Sequence, residues 1–413
     1  MIVFVDYLYK GIGGVGQLVV NTVLELNRLD LKAKVYASSS SYEYQRLKEE
    51  RANCVLIDSD VVSLKQLNNY IEHNDTIYLT QLGNTPLLEA IKSKNNRLIV
   101  YSVFPNTFYG YDKYTNWIVN QDIHVLDLIA ILDNKKALYF MDRPNLDAVT
   151  SRGVVLNKPI IYLPVPVFVS SQERRIGFPF RGGKTITYIG RGNDDWKIYP
   201  IIKVIQDMNR LNEQMSVVIC TDWSERFQEL IKLYIPDNKV NIDYKINLYG
   251  EALNSFLKEN SWLHISMGTS ALEGAKLGIP TILIDYSKQP FPESYKYKWL
   301  FDTKEYCLAD EIFPESKING MSLSEIMDML NDKIRYDAIS DSCFNYVFSN
   351  HSIEQHVRLL LDAFSRTEMT VQDYCNTRFS KNMKYVAPIV EKISKLKHRL
   401  LWYTRTSSEK KEC

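Results

Sequence analysis

The six cysteines of this chain (Cys54, Cys220, Cys307, Cys343, Cys375 and Cys413) are dispersed and form no C-x-x-C pair. That pattern supports neither a disulfide framework nor a zinc knuckle, and a reducing compartment is the simplest setting. No run of 18 apolar residues occurs, so no membrane-spanning helix is expected. A basic n-region is missing too, because Met1 leads directly into an apolar, strand-like stretch. The expectation is a cytoplasmic protein. Charge of one sign is also lacking: 50 Lys+Arg against 49 Asp+Glu leave a net +1, which gives no electrostatic footprint for nucleic acid. Internal repeats and low-complexity segments are absent as well.

What is present is a long, ordinary globular composition. At 413 residues the chain exceeds the roughly 250–300 at which single cores stop growing, so two domains are expected. Hydrophobic residues at 45% and charged residues at 24% exclude a disordered or collagen-like chain. Tyrosine is abundant, with 27 copies, each offering a flat apolar face and a hydroxyl. Charge is unevenly placed. Residues 378–413 carry ten basic and three acidic groups, a +7 tail on a −6 body.

Short Val- and Ile-rich runs alternate with amphipathic stretches, the pattern of β-α units around parallel sheets. One series has strand candidates at Ile2–Val5, Ala33–Ala37, Cys54–Ile57, Thr76–Leu79, Leu98–Ser102, Leu128–Leu132 and Ile160–Leu163. A second runs through Thr185–Ile189, Ser216–Cys220, Val240–Ile242, Trp262–Ser266 and Thr281–Ile284. Pro159, Pro164 and Pro166 close the first series, which places a linker at 170–183. The expectation is an α/β chain of two tandem Rossmann-like, doubly wound domains, residues 1–172 and 180–350. A closing helix at 351–366 and a basic amphipathic tail at 367–413 follow.

Three motifs carry candidate chemistry. Gly11-Ile12-Gly13-Gly14-Val15-Gly16 fits G-x-G-x-x-G, in which Gly13, Gly14 and Gly16 would let backbone amides approach a phosphate at a helix N-terminus. As a nicotinamide fingerprint it fails twice: Asp6–Lys10 separate it from the strand, and Tyr36-Ala37-Ser38-Ser39 offers no acid for a ribose. A phosphate or acceptor loop and a structural turn remain. In the second motif Gly190-Arg191-Gly192 ends a strand and Lys197 opens the next helix. Either Arg191 and Lys197 grip a diphosphate, or they are surface cations partnered by Asp194 and Asp195. The third, Gly268-Thr269-Ser270 with Glu273 one turn on and Gly278-Ile279-Pro280 as the stop, suits a diphosphate and a ribose. Glu273 could equally be the capping-box partner of Ser270.

In the order and spacing of the Gly11–Gly16 loop, Gly190-Arg191…Lys197, Leu248-Tyr249-Gly250-Glu251 and Ser270–Pro280, residues 1–366 resemble the GT-B glycosyltransferases. The similarity is to the large retaining family that builds bacterial capsule, O-antigen and lipopolysaccharide. The resemblance implies two Rossmann-like domains about an interdomain cleft and a hexosyltransferase-type reaction needing neither metal nor other cofactor. It implies a nucleotide diphosphate sugar donor and a glycan or polyprenyl-linked glycan acceptor. Position by position, Arg191 and Lys197 would meet the diphosphate, Tyr249 and Gly250 would flank the base, Gly190 and Gly268–Ser270 would line the phosphates, and Glu273 would hold the ribose. The first glutamate of the family's paired motif, due near Ile265 or Ser266, is absent, and Val103-Phe104-Pro105 stands where many members carry a histidine. His124, heading a strand candidate, is the remaining histidine for a catalytic or acceptor role, or else a structural residue; inversion through Asp6, Asp122 or His124 stays open.

Two other readings remain open, a nucleotide-sugar 2-epimerase on the same fold and a non-catalytic glycan- or partner-binding scaffold. In the tail, Val386, Ile389, Val390, Ile393, Leu396, Leu400 and Leu401 recur at helical spacing among Lys392, Lys395, Lys397 and Arg399. Residues 384–403 thus read as a basic amphipathic helix that docks peripherally on the anionic inner face of the plasma membrane, or packs on the chain's own surface.

Overall fold

The computed structural model describes residues 1–6, 14–80, 82, 85–105, 107–108, 121–174, 183–211, 214–316 and 318–383. Two compact units divide the chain: Met1–Leu163 with Val357–Cys413, and Pro164–His356.

In the first unit the strands are β1 (Ile2–Asp6), β2 (Ala33–Ala37), β3 (Cys54–Asp58), β4 (Thr76–Leu79), β5 (Arg97–Ser102) and β6 (Leu138–Phe140). They form a sheet in the order β3-β2-β1-β4-β5-β6, parallel at every pairing. Helices α1 (Gly14–Arg28), α2 (Tyr42–Glu49), α3 (Thr85–Ala90), α4 (Gln121–Asn134) and α5 (Arg143–Thr150) supply connections. A parallel sheet covered on both faces wants continuous apolar strands, and β2 is buried at all five residues. Lys34 within it is satisfied by bonds to the Asp75 carboxylate at 2.7 Å and the Tyr70 carbonyl at 2.7 Å.

The second unit repeats the plan. Its strands are β7 (Lys184–Ile189), β8 (Met215–Thr221), β9 (Asn241–Ile246), β10 (Leu263–Ser266), β11 (Thr281–Leu283) and β12 (Lys298–Trp299). The sheet order is β12-β11-β10-β7-β8-β9, which read from the other edge is the same permutation as in the first unit. Only the β11–β12 pairing is antiparallel. Its helices are α6 (Asp195–Arg210), α7 (Glu225–Tyr234), α8 (Gly250–Asn260), α9 (Thr269–Ala275), α10 (Leu323–Asn331) and α11 (Lys333–His351), followed by α12 (Ile353–Arg366) and α13 (Val371–Asn376).

Three sequence expectations need correction. Leu128–Leu132 is not a strand but part of α4, where Val125, Leu128, Ile129 and Leu132 are buried at helical spacing. The sixth strand is instead the three-residue β6, and Ile160–Leu163 adds only an isolated bridge between Tyr162 and Phe140. The tail set apart at 367–413 begins inside the first unit: Met369, Val371, Tyr374, Cys375, Phe379 and Met383 belong to its core. There the Met369 carbonyl accepts from the Leu98 amide at 3.0 Å and Tyr374 meets Thr85 at 2.8 Å. Residues 384–403 lie outside the described residues.

Candidate functional site

In open α/β sheets the chain leaves neighbouring strands in opposite directions at one point, and ligands bind beyond the carboxyl ends of the strands there. In the second unit that point lies between β7 and β10. Just past the ends of the two strands stand residues singled out from sequence, Gly190 and Gly268. The Ser266 hydroxyl ties the two ends together by donating to the Ile189 carbonyl at 2.9 Å. Ile265 and Ser266, where the family's first glutamate would stand, are themselves fully buried strand residues.

The glycines after β7 are required by close packing. A Cβ on Gly190 would lie 2.6 Å from the Tyr188 ring, and one on Gly192 would lie 1.7 Å from the Trp223 carbonyl oxygen. The Tyr188 ring folded over Gly190 reaches the first turn of α6, where its hydroxyl donates to the Lys197 carbonyl at 2.5 Å. Arg191 is half exposed and pairs with Asp194 at 3.2 Å. Asp195 does not partner either cation; it takes a bidentate bond from Arg226 at 2.9 and 2.8 Å.

Lys197 is held in an unfavourable place for a cation. It occupies the first turn of α6, whose N-terminus carries partial positive charge. Burial lowers its pKa to about 8, with a further contribution from Arg191 that Asp194 and Asp222 only partly oppose. Among the described residues its ammonium has no ion-pair partner, and it lies 5.0 Å from the Trp196 ring centroid. All three effects would be relieved by an anion.

On the other side of the switch point, Gly268 adopts φ +58°, ψ −146°, which a side chain would strain. It is the N-cap of α9, so the capping-box reading of Glu273 with Ser270 fails: Glu273 is the fifth helical residue, and Gly268 makes no side-chain cap bond. Glu273 instead pairs with Lys276 at 2.5 Å, both side chains partly buried. Thr269 is exposed and Ser270 half-buried. The loop is supported from below by His264, fully buried, whose ring nitrogens meet the Thr187 hydroxyl at 3.0 Å and the Ser270 carbonyl at 2.9 Å. Gly274 leaves room for that ring, since a Cβ there would sit 2.5 Å from it. Burial lowers the His264 pKa to about 4, so it is a neutral strut.

Beyond β8 and β9 lies a group that sequence reasoning missed in part. Tyr249 is the N-cap of α8 and 63% exposed, followed by Gly250 at φ +56°. Asp222 and Trp223, next along from β8, were signalled only by polar and aromatic residues at a strand end. The Asp222 carboxylate Oδ1 accepts from the Gly192 amide at 2.8 Å, and Trp223 exposes 60% of its surface.

In the first unit the corresponding point is β1/β4. Gly13 lies outside the described residues. Gly14 opens α1 with nothing among the described residues within 4 Å of where a Cβ would stand, whereas Gly16 packs on Glu43, whose Oε2 would lie 2.9 Å from an added Cβ. Asp6 ends β1 and Asp122 lies in α4; their side chains are outside the description. His124 is in the first turn of α4, not at the head of a strand, and its buried Nδ1 has no hydrogen-bond partner among the described residues. Sequence reasoning also missed Asp58-Ser59-Asp60, an Asp-x-Asp at a strand end. Its carboxylates are spent on the turn: Asp58 accepts from the Ser39 and Asp60 amides at 3.0 and 2.9 Å, and Asp60 from Ser38 at 2.5 Å.

No protein-family model matches the sequence, and no curated protein matches it. Solved structures do match. A glycosyltransferase from Rickettsia africae ESF-5 is similar over 88% of this chain and 97% of its own, at 13% identity and TM-score 0.58. A TarM variant from S. aureus, solved with fondaparinux, alpha-GlcNAc-glycerol and UDP, covers 88% and 99% at 10% identity and TM-score 0.56. The lipopolysaccharide outer core galactosyltransferase WaaB covers 88% and 99% at 12% identity and TM-score 0.54. This is the GT-B fold. In its second unit the structure brings Arg191, Lys197, Gly268–Ser270 and Glu273 to the ends of two adjacent strands, with Tyr249 beyond the end of β9, two strands from β7.

Proposed function

We propose that the chain is a glycosyltransferase that moves a sugar from a nucleoside diphosphate donor to a hydroxyl of a glycan or polyprenyl-linked glycan in cell-surface polysaccharide synthesis. The observation that carries this reading is Lys197: a partly buried cation at a helix N-terminus, beside Arg191 and without an ion pair among the described residues. Similar folds support it, since the TarM structure holds UDP and an alpha-GlcNAc-glycerol, and a trehalose-phosphate synthase from Burkholderia xenovorans of comparable similarity is UDP-forming.

In the proposed reaction the bond between the anomeric carbon and the β-phosphate oxygen breaks, and one to the acceptor oxygen forms. Negative charge gathers on the departing phosphate, where Arg191, Lys197 and the amides of Gly268–Ser270 stabilise it without reorganisation. Glu273 accepts hydrogen bonds from the ribose hydroxyls, giving up part of its pairing with Lys276. With retention, the leaving phosphate takes the acceptor's proton, and no metal is called on. Residues 384–403 bring the enzyme to an anionic membrane face; a truncation to test this must start after Met383, because Phe379 and Met383 are core residues.

Binding of nucleoside diphosphate and of the bare nucleoside to wild type, Lys197→Ala and Glu273→Ala tests the assignment. Lys197→Ala should weaken only the diphosphate. Glu273→Ala should weaken both, by about 1.5–3 kcal/mol. Equal losses for both ligands in Lys197→Ala would remove the diphosphate role.

A further inference from the structure

Three features of the second unit converge beyond the ends of β8 and β9, which are adjacent strands with Thr221 opposite Ile246. The first is a carboxylate with one oxygen committed and one open. Asp222 Oδ1 accepts from the Gly192 amide at 2.8 Å and from the Thr221 hydroxyl at 3.3 Å, while Oδ2 accepts nothing among the described residues. The second is Trp223, whose backbone is pinned while its ring is not. Its amide donates to the Thr221 hydroxyl at 3.2 Å and its carbonyl presses on Gly192, yet 60% of the residue is exposed. The third is Tyr249, with its backbone at the cap of α8, 63% exposed, and its phenol near enough for the Asp222 charge to add to burial in raising its pKa. Two exposed aromatic residues and an open acceptor thus follow the ends of adjacent strands, the parts that base reading needs: stacking supplies contact with any base, and a polar group supplies the choice.

We infer that Asp222, Trp223 and Tyr249 are specificity-determining residues for the donor's base, and that the base is guanine. The inference rests on the nucleotide-binding reading of this unit. A carboxylate is an acceptor only. Guanine presents two adjacent donors on its Watson–Crick edge, N1–H and the N2 amino group, which both lone pairs of Oδ2 can receive. Uracil and thymine offer one N–H flanked by two carbonyl oxygens that a carboxylate repels. Adenine and cytosine offer one amino group beside an acceptor nitrogen. The larger purine face also covers more of the Trp223 and Tyr249 rings.

Calorimetric titration of the full chain with GDP, UDP, ADP and CDP decides the matter. Wild type should bind GDP at least tenfold more tightly than UDP. Asp222→Asn keeps an oxygen for the Gly192 amide but puts an amino group in place of Oδ2, so GDP should weaken at least tenfold and UDP should hold or improve. Trp223→Ala should weaken all four, GDP and ADP more than UDP and CDP, and melting curves of the free variants check their folds. UDP binding as tight as GDP in wild type overturns the guanine assignment, as does an equal loss of GDP and UDP in Asp222→Asn. Failure of all four diphosphates to bind overturns the nucleotide reading itself, and the base assignment with it.

Discussion

Lys197 shows how one side chain can hold both the burden and the purpose of a site. In the unfolded chain its ammonium stays protonated to about pH 10.5, while in the fold it loses its proton near pH 8. Between those values the unfolded state binds more protons, so stability rises with pH across that window; below about pH 8 the charged lysine is a standing cost to the fold. A bound diphosphate reverses the balance by drawing the pKa back up. At pH 8 about half of the free protein's Lys197 is neutral, so binding of nucleoside diphosphate should take up about half a proton. Titrations in buffers of different ionisation enthalpy measure this directly, and Lys197→Arg, always charged, should abolish it. No net uptake in wild type at pH 8 would place the phosphates elsewhere.

At the scale of elements, the turn after β7 and the first turn of α6 act as one piece. Tyr188 lies over Gly190 and bonds the Lys197 carbonyl, so a methyl on Gly190 should drive the ring away and loosen the turn that carries the lysine. Gly190→Ala should therefore weaken diphosphate binding about as much as Lys197→Ala while far-UV circular dichroism stays native; unchanged affinity would break the proposed link. The glycine loop of the first unit makes the complementary case. Gly14→Ala meets nothing among the described residues and should be neutral or stabilising by about 0.4–1 kcal/mol in urea unfolding, whereas Gly16→Ala must displace Glu43 and should destabilise. None of these distinctions is legible in the sequence, where Gly14, Gly16 and Gly190 read alike as places for a phosphate. The strands themselves were legible, because β-branched runs such as Ile2–Asp6 and Lys184–Ile189 are long and bounded. Where the run was short, periodicity failed: Leu128–Leu132 fits strand or helix until its neighbours are seen to bury Val125 and Ile129 on one face. Arg191, Lys197 and Glu273 were found from spacing, and the environment of Lys197 was not, since burial and the nearness of Asp222 depend on strands far apart in sequence.

The two units share a strand permutation but differ in how they meet acid. His264, His351 and His356 are all buried in the second unit, and burial lowers each pKa to about 4. Each ring is held by its neighbours: His351 meets the Val165 carbonyl at 2.8 Å and His356 the Pro164 carbonyl at 3.0 Å. A histidine whose folded pKa lies below 6.5 leaves the unfolded chain binding more protons as pH falls from 6.5 to 4, so stability is lost across that range. At pH 5 each contributes a loss of about 2 kcal/mol, and three together rival the 5–15 kcal/mol that holds a typical domain. The first unit has different chemistry. Its Asp75, lowered despite burial by Lys34 and the Met1 amine, costs stability only as pH falls through the ordinary carboxylate range and below. Its buried Glu43, raised by desolvation, favours the fold as pH falls. The second unit should therefore open first. Hydrogen exchange after stepwise acidification from pH 7 to 4.5 should show amides of β7, β8 and β10 losing protection before those of β1, β2 and β4. Nucleoside diphosphate should delay only the former, because the residues proposed to grip it, Arg191, Lys197, Gly268–Ser270 and Glu273, all lie in that unit. Loss of protection in the first unit at the same or higher pH would show that the three histidines do not set the acid limit of this protein.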